Sequence, residues 1–203
     1  PLGATTIFIG KTGHGKTHLI GTVAEILKEQ KIAVAFVSQT PYLYNDTMEK
    51  NLFLGKMPTP EERQQAFHLM QLFGLTVLES EMNALLTLEV GEHGKKLSGG
   101  QQKRVGLIRS LLTPAEFILW DDPFSSIDVI LERQIFSQLK SSGLLIGKTL
   151  VLTGHRLSTV RLCDHLYYLD KDAGIIETGT IEQLLIESQQ KSATYEFFQD
   201  QMV

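Results

Sequence analysis

The chain has 203 residues, 42% of them apolar and 21% charged, which is ordinary for a globular domain and enough for a sizeable core. Its formal net charge of -4 supplies no cation field for phosphate neutralisation, so a nucleic-acid partner is not expected. With Cys163 as the only cysteine there is no internal disulfide, and no apolar run approaches the roughly 18–20 residues that span a bilayer, so the expectation is a soluble cytosolic domain without a cleavable leader.

Residues 5–9 form a short β-rich apolar run ending at Gly10, and Thr17 opens a helical pattern over residues 18–29. A second strand is predicted over residues 32–37, closed by Gln39 and Pro41, with loop over residues 42–46. Residues 61–73 place Ala66, Leu69, Met70 and Phe73 on one helical face, and Pro60 suits the first turn. This predicts a helical lobe over residues 45–96, closed by a loop at Gly91, Gly94, Lys95 and Lys96. Another helix is predicted over residues 101–112. The apolar runs 117–120 and 149–153 read as buried parallel strands, 166–169 and 175–176 as further strands, and the chain closes with a helical tail from about Ile181. Alternating strands and helices imply a parallel sheet covered on both faces.

Gly10, Lys11, Thr12, Gly13, His14, Gly15, Lys16 and Thr17 fit G-x-x-x-x-G-K-T between a predicted strand and a predicted helix. The glycines let successive N–H groups and a helix N-terminus approach a phosphate. Lys16 should then contact the terminal phosphates, the Thr17 hydroxyl should ligate Mg²⁺, and the His14 side chain should point away. Asp121 and Asp122 end the run 117–120, which puts a carboxylate at the carboxyl end of a strand beside this loop. Asp121 suits a metal partner and Asp122 faces the terminal phosphate. ATP and Mg²⁺ are the expected ligands.

The segment Leu97, Ser98, Gly99, Gly100, Gln101, 20 positions before Asp121 (121 minus 101), resembles the signature motif of ATP-binding cassette ATPases. The resemblance covers roughly residues 3–185. It implies an α/β P-loop NTPase fold: a RecA-like core over residues 1–44 and 97–203 with a parallel sheet flanked by helices, plus the α-helical lobe at 45–96. It further implies that Ser98 and the glycine amides are presented to an ATP held by a second cassette. By the same resemblance Gln39 reaches Mg²⁺ and the attacking water, Ser126 and Asp128 touch the opposing protomer, and His155 bonds the γ-phosphate. Taken alone, Ser125, Ser126 and Asp128 would read as a turn or helix cap.

Residues 87–94 are similar to the loop by which exporter-type cassettes touch their transmembrane partner. The implied function is an ATPase that pairs head to tail over MgATP at the cytoplasmic face of a membrane and powers an exporter. Its partners would be a second cassette, the same or different, and transmembrane domains in a longer protein. A soluble cassette of DNA repair or translation is the alternative. Two departures stand out. The family carries an adenine-stacking aromatic ahead of the phosphate loop, here outside the sequence, and Lys16 to Gln39 spans only 23 positions (39 minus 16), so the antiparallel β-lobe is expected to be truncated. Asp122 stands where the family usually has glutamate, one methylene longer, which implies slow hydrolysis and a weak site paired with a stronger one.

Overall fold

A computed structural model describes residues 3–76, 78–187 and 192–202. The predicted strand β1 spans Thr5–Ile9 and passes through residues 10–15 into helix α1, Lys16–Glu29. Strand β2 is Val34–Val37, starting two residues later than its apolar run because residues 31–33 still turn out of α1, with Lys31 at positive φ. Among the described residues no antiparallel strand lies between α1 and β2.

Helices α2 (Met48–Phe53), α3 (Pro60–Leu72) and α4 (Met82–Leu86) follow, then α5, Gly99–Leu112. Thr59 and Glu62 form a reciprocal capping box at α3, with Pro60 in the first turn. The face Ala66, Leu69, Met70 and Phe73 is buried, as the spacing predicts. Strand β3 is Phe117–Trp120, and Trp120 Nε1 donates to Ser110 Oγ at 2.8 Å, tying β3 to α5.

Helix α6, Val129–Ser141, has no counterpart among the predicted elements. Asp128 caps it by accepting from the N–H groups of Ile130 (3.0 Å) and Leu131 (2.9 Å), and Ile135, Phe136 and Leu139 are its buried side. Strand β4 is Thr149–Thr153, followed by the short helix α7, Leu157–Val160, and strands β5, His165–Asp170, and β6, Gly174–Gly179. The expected helical tail is a π-type turn at Glu182–Glu187 and helix α8, Ala193–Phe198; residues 188–191 of it lie outside the described residues.

The six strands form one sheet in the order β2-β3-β4-β1-β5-β6. The first five are parallel, as expected for the core, and β6 adds an antiparallel edge strand beside β5. Only residues 171–173 join β5 to β6, too few for a parallel crossover, and Asp170 Oδ1 accepts from the N–H groups of Asp172 and Ala173 to close the turn. The architecture is the α/β P-loop fold with helices on both faces of the sheet. One apolar cluster joins the sheet to α2, α3, α5 and α6, and includes the free, buried Cys163, whose thiol burial pushes well up. No helix among the described residues is long and apolar enough to cross a membrane.

Candidate nucleotide site

The phosphate loop leaves β1 at its carboxyl end and is held against the end of β5. A Cβ on Gly10 would stand 2.4 Å from the Leu169 carbonyl oxygen, so only glycine fits this approach. His14 Nδ1 lies 3.2 Å from the same oxygen, turning its side chain away from the cavity and towards β5. Gly13 (φ 86°) and Gly15 (φ 82°) take left-handed backbone, and α1 starts without a side-chain cap or an acidic residue in its first turn. Its free N–H groups and positive end are therefore left for an anion. Lys16 Nζ donates to the carbonyls of Gly10 (2.6 Å) and Lys11 (3.0 Å). Burial lowers its pKa, and the nearby Asp122 and Asp121 oppose that shift.

A cavity of about 870 Å³ opens over this loop, within the size range of small-molecule sites. Thr12, Gly13, Gly15, Lys16, Thr17, Gln39, Asp121, Asp122 and His155 all line it. Gln39 Nε2 lies 3.3 Å from Thr17 Oγ1, so the amide from the end of β2 meets the hydroxyl from α1. Asp121 is 1% exposed. Its Oδ1 accepts from Thr153 Oγ1 at 2.6 Å, while Oδ2 is buried without a protein partner. An orphaned buried carboxylate oxygen beside a hydroxyl and an amide fits a divalent cation whose remaining ligands are phosphate oxygens and water.

Strand β3 does not adjoin the phosphate loop, because β4 lies between it and β1. Thr153, at the end of β4, bridges the gap: it donates to Asp121 and accepts from the Asp122 N–H at 2.8 Å. Asp122 sits at φ 45°, a left-handed conformation that aspartate tolerates better than most residues. His155 Nδ1 is 3.6 Å from Asp122 Oδ1, with the His155 side chain 54% exposed. Arg156 anchors the neighbouring loop by donating to the carbonyls of Ile127 (2.7 Å) and Ser125 (3.1 Å), and Gln201 Nε2 donates to the His155 carbonyl at 3.1 Å.

Leu97, Ser98, Gly99, Gly100 and Gln101 do not line the cavity. Leu97 is buried and anchors the segment; Ser98 Oγ accepts from the Gln101 N–H while Gln101 Oε1 accepts from the Ser98 N–H. Ser98 thus caps α5 and keeps its own proton to donate. A Cβ on Gly100 would stand 3.4 Å from the Ser126 carbonyl oxygen, which places the signature segment beside the loop of Ser126 and Asp128. Ser98, Gly99, Ser126 and Asp128 are exposed.

Three functional neighbours were invisible in the sequence: Thr153, Gln201 and Lys103. Lys103 follows the signature segment by two residues and reads there as part of a basic helix face, yet it is 2% exposed. Its ammonium donates to the carbonyls of Gln39 (2.6 Å) and Asp121 (3.2 Å).

The family model for ABC transporters matches residues 1–125. The chain belongs to the ABC transporter family. The ABC transporter C family member 7 of Dictyostelium discoideum is 33% identical to it over 190 residues, covering 91% of this chain and 14% of that protein. The ATP-dependent lipid A-core flippase of Cupriavidus pinatubonensis is 30% identical over 207 residues, covering 91% and 34%. For the rat ATP-binding cassette sub-family C member 3 the figures are 35% over 193 residues, 91% and 12%. The chain therefore spans about a third or less of the length of these relatives. A bacterial Atm1-family ABC exporter solved with ATP bound matches the fold with a TM-score of 0.82 at 24% identity, covering all of this chain and 38% of that one. The match is to the nucleotide-binding domain of ABC transporters, and such domains bind ATP.

Proposed function

We propose that this chain is a slowly hydrolysing ATP-binding cassette that pairs head to tail with a second cassette over MgATP. The observation that carries the reading is the split of the site. The phosphate loop, Gln39, Asp121, Asp122 and His155 share one cavity, while the signature segment, with Ser98 and Gly99 exposed, stands outside it beside Ser126. A helix N-terminus with a donor-competent serine suits a second phosphate cradle only if another molecule brings the phosphate. Thr17, Gln39 and Asp121 would hold Mg²⁺, which supplies neutralisation of phosphate charge during transfer. Lys16 and the loop amides would bind the phosphates, Asp122 would orient and polarise the attacking water, and His155 would contact the γ-phosphate.

The lobe at residues 45–96 and the core 1–44 with 97–203 would flank the nucleotide, with Gln39 at their junction. His93 of the 87–94 loop packs edge-on against Tyr42 with ring centroids 5.3 Å apart, and beside them Tyr44 and Leu54 are exposed in a groove ending at Arg109. Such an aromatic groove suits a polypeptide from transmembrane domains at the cytoplasmic face, and the similarity to exporters favours this over a soluble cassette. The whole protein would then be an exporter.

Steady-state ATP turnover of the chain and two variants tests the reading. Asp122 carries a carboxylate that is short by one methylene, and misplacement of about 1 Å costs on the order of 100-fold. The expected result is slow turnover by the wild type, a rise of about 10–100-fold in Asp122→Glu, and none in Asp122→Asn. Fast wild-type turnover that Asp122→Asn abolishes would overturn the slow-site reading and the pairing with a stronger, glutamate-bearing cassette.

A further inference from the structure

We propose that Lys103 is a positioning residue of the divalent-cation site, holding Gln39 and the Asp121–Asp122 peptide in place from inside the signature helix. The inference rests on the MgATP reading above and adds to it a residue that touches neither nucleotide nor metal.

A buried ammonium is costly unless its donors are used, and a methionine of similar length would fit such a position at less desolvation cost. Lys103 spends two of its three donors on main-chain oxygens from two different site loops, the Gln39 carbonyl at 2.6 Å and the Asp121 carbonyl at 3.2 Å. The span between helix and loop is fixed. A Cβ on Gly106, one turn further along α5, would stand 2.6 Å from Pro41, so the helix is seated directly against the Gln39 loop.

The second bond closes a clamp. The Asp121 carbonyl and the Asp122 N–H belong to one peptide group; Lys103 holds its oxygen and Thr153 holds its nitrogen at 2.8 Å. That peptide enters the left-handed Asp122, a conformation that persists only where the surroundings determine it. The first bond fixes the Gln39 backbone, whose side chain lies against Thr17 Oγ1 at 3.3 Å. One ammonium therefore sets two of the three groups assigned to the cation. Outer partners of this kind typically change metal affinity by 10–100-fold when removed.

The test uses Mn²⁺ as the probe cation, followed by electron paramagnetic resonance on the chain with ATP, alongside ATP binding in EDTA and thermal melting. In Lys103→Met, Mn²⁺ affinity of the ATP complex should fall by about tenfold, with ATP binding in EDTA changed less than twofold. Lys103→Gln keeps an uncharged amide with two N–H donors on a shorter stem and should recover part of the loss; it carries the test alone if Lys103→Met does not fold. Unchanged Mn²⁺ affinity in either folded variant overturns the proposal, and so does a matching loss of ATP binding in EDTA, which marks a general packing defect. If the wild type binds ATP in neither condition, the nucleotide reading falls and this proposal with it. ATP binding with Mn²⁺ affinity insensitive to Lys103 sinks only the latter.

Discussion

The Thr153 hydroxyl is the joint on which two site residues turn, because it donates to Asp121 and accepts from the Asp122 N–H. In Thr153→Val the shape is kept and both bonds are lost, leaving a buried carboxylate oxygen and a partly buried N–H unpaired. Each such group costs about 1–3 kcal/mol, so the variant should lose roughly 2–6 kcal/mol of unfolding free energy, seen as a lower urea midpoint at unchanged m-value. An unchanged midpoint would mean that water replaces the hydroxyl. Residues of this kind escape sequence reading for a plain reason. The phosphate loop and the paired aspartates declare themselves by spacing, whereas Thr153 looks like the last residue of a β-rich run and Lys103 like one cation among several on α5. Their roles are set by which strand lies next to which, and no local pattern carries that.

At the scale of elements, β1, β3, β4 and α3 were legible because each has a strong period or a bounded apolar run. Helix α6 was not, since Ser125, Ser126 and Asp128 read equally as a turn, and only the packing of Ile135, Phe136 and Leu139 resolves the cap in favour of a helix. The start of α5 hides a similar ambiguity. Ser98 serves its own helix as N-cap and, on the reading above, a foreign phosphate as donor. Two substitutions separate these duties. Alanine at an N-cap costs about 1 kcal/mol, whereas glycine costs only a few tenths, and both delete the hydroxyl. Ser98→Ala should therefore be less stable than Ser98→Gly, by roughly 0.5–0.8 kcal/mol in urea titration, while the two weaken ATP-dependent pairing equally. Pairing that tracks stability instead would reduce Ser98 to a cap.

The whole molecule presents a cavity over the start of α1 and, apart from it, the signature segment at the start of α5, and sheet order explains why they stay apart. With β4 between β1 and β3, the phosphate loop faces Asp121 and Asp122 across the strand ends, and the signature segment is left beside the Ser126 loop. In the pairing proposed above, two copies related by a two-fold axis would satisfy both halves at once, since each would bring its signature segment to the other's phosphates. The variant Asp122→Asn, which should retain bound ATP, is the suitable probe. With MgATP it should double in mass by light scattering, and EDTA should return it to a monomer. Adding Gly100→Asp to it should leave ATP binding intact, because Gly100 does not line the cavity, yet abolish the doubling by setting a carboxylate against the incoming phosphate. A monomer under MgATP, or a dimer indifferent to Gly100→Asp, would remove the self-complementary geometry from the account.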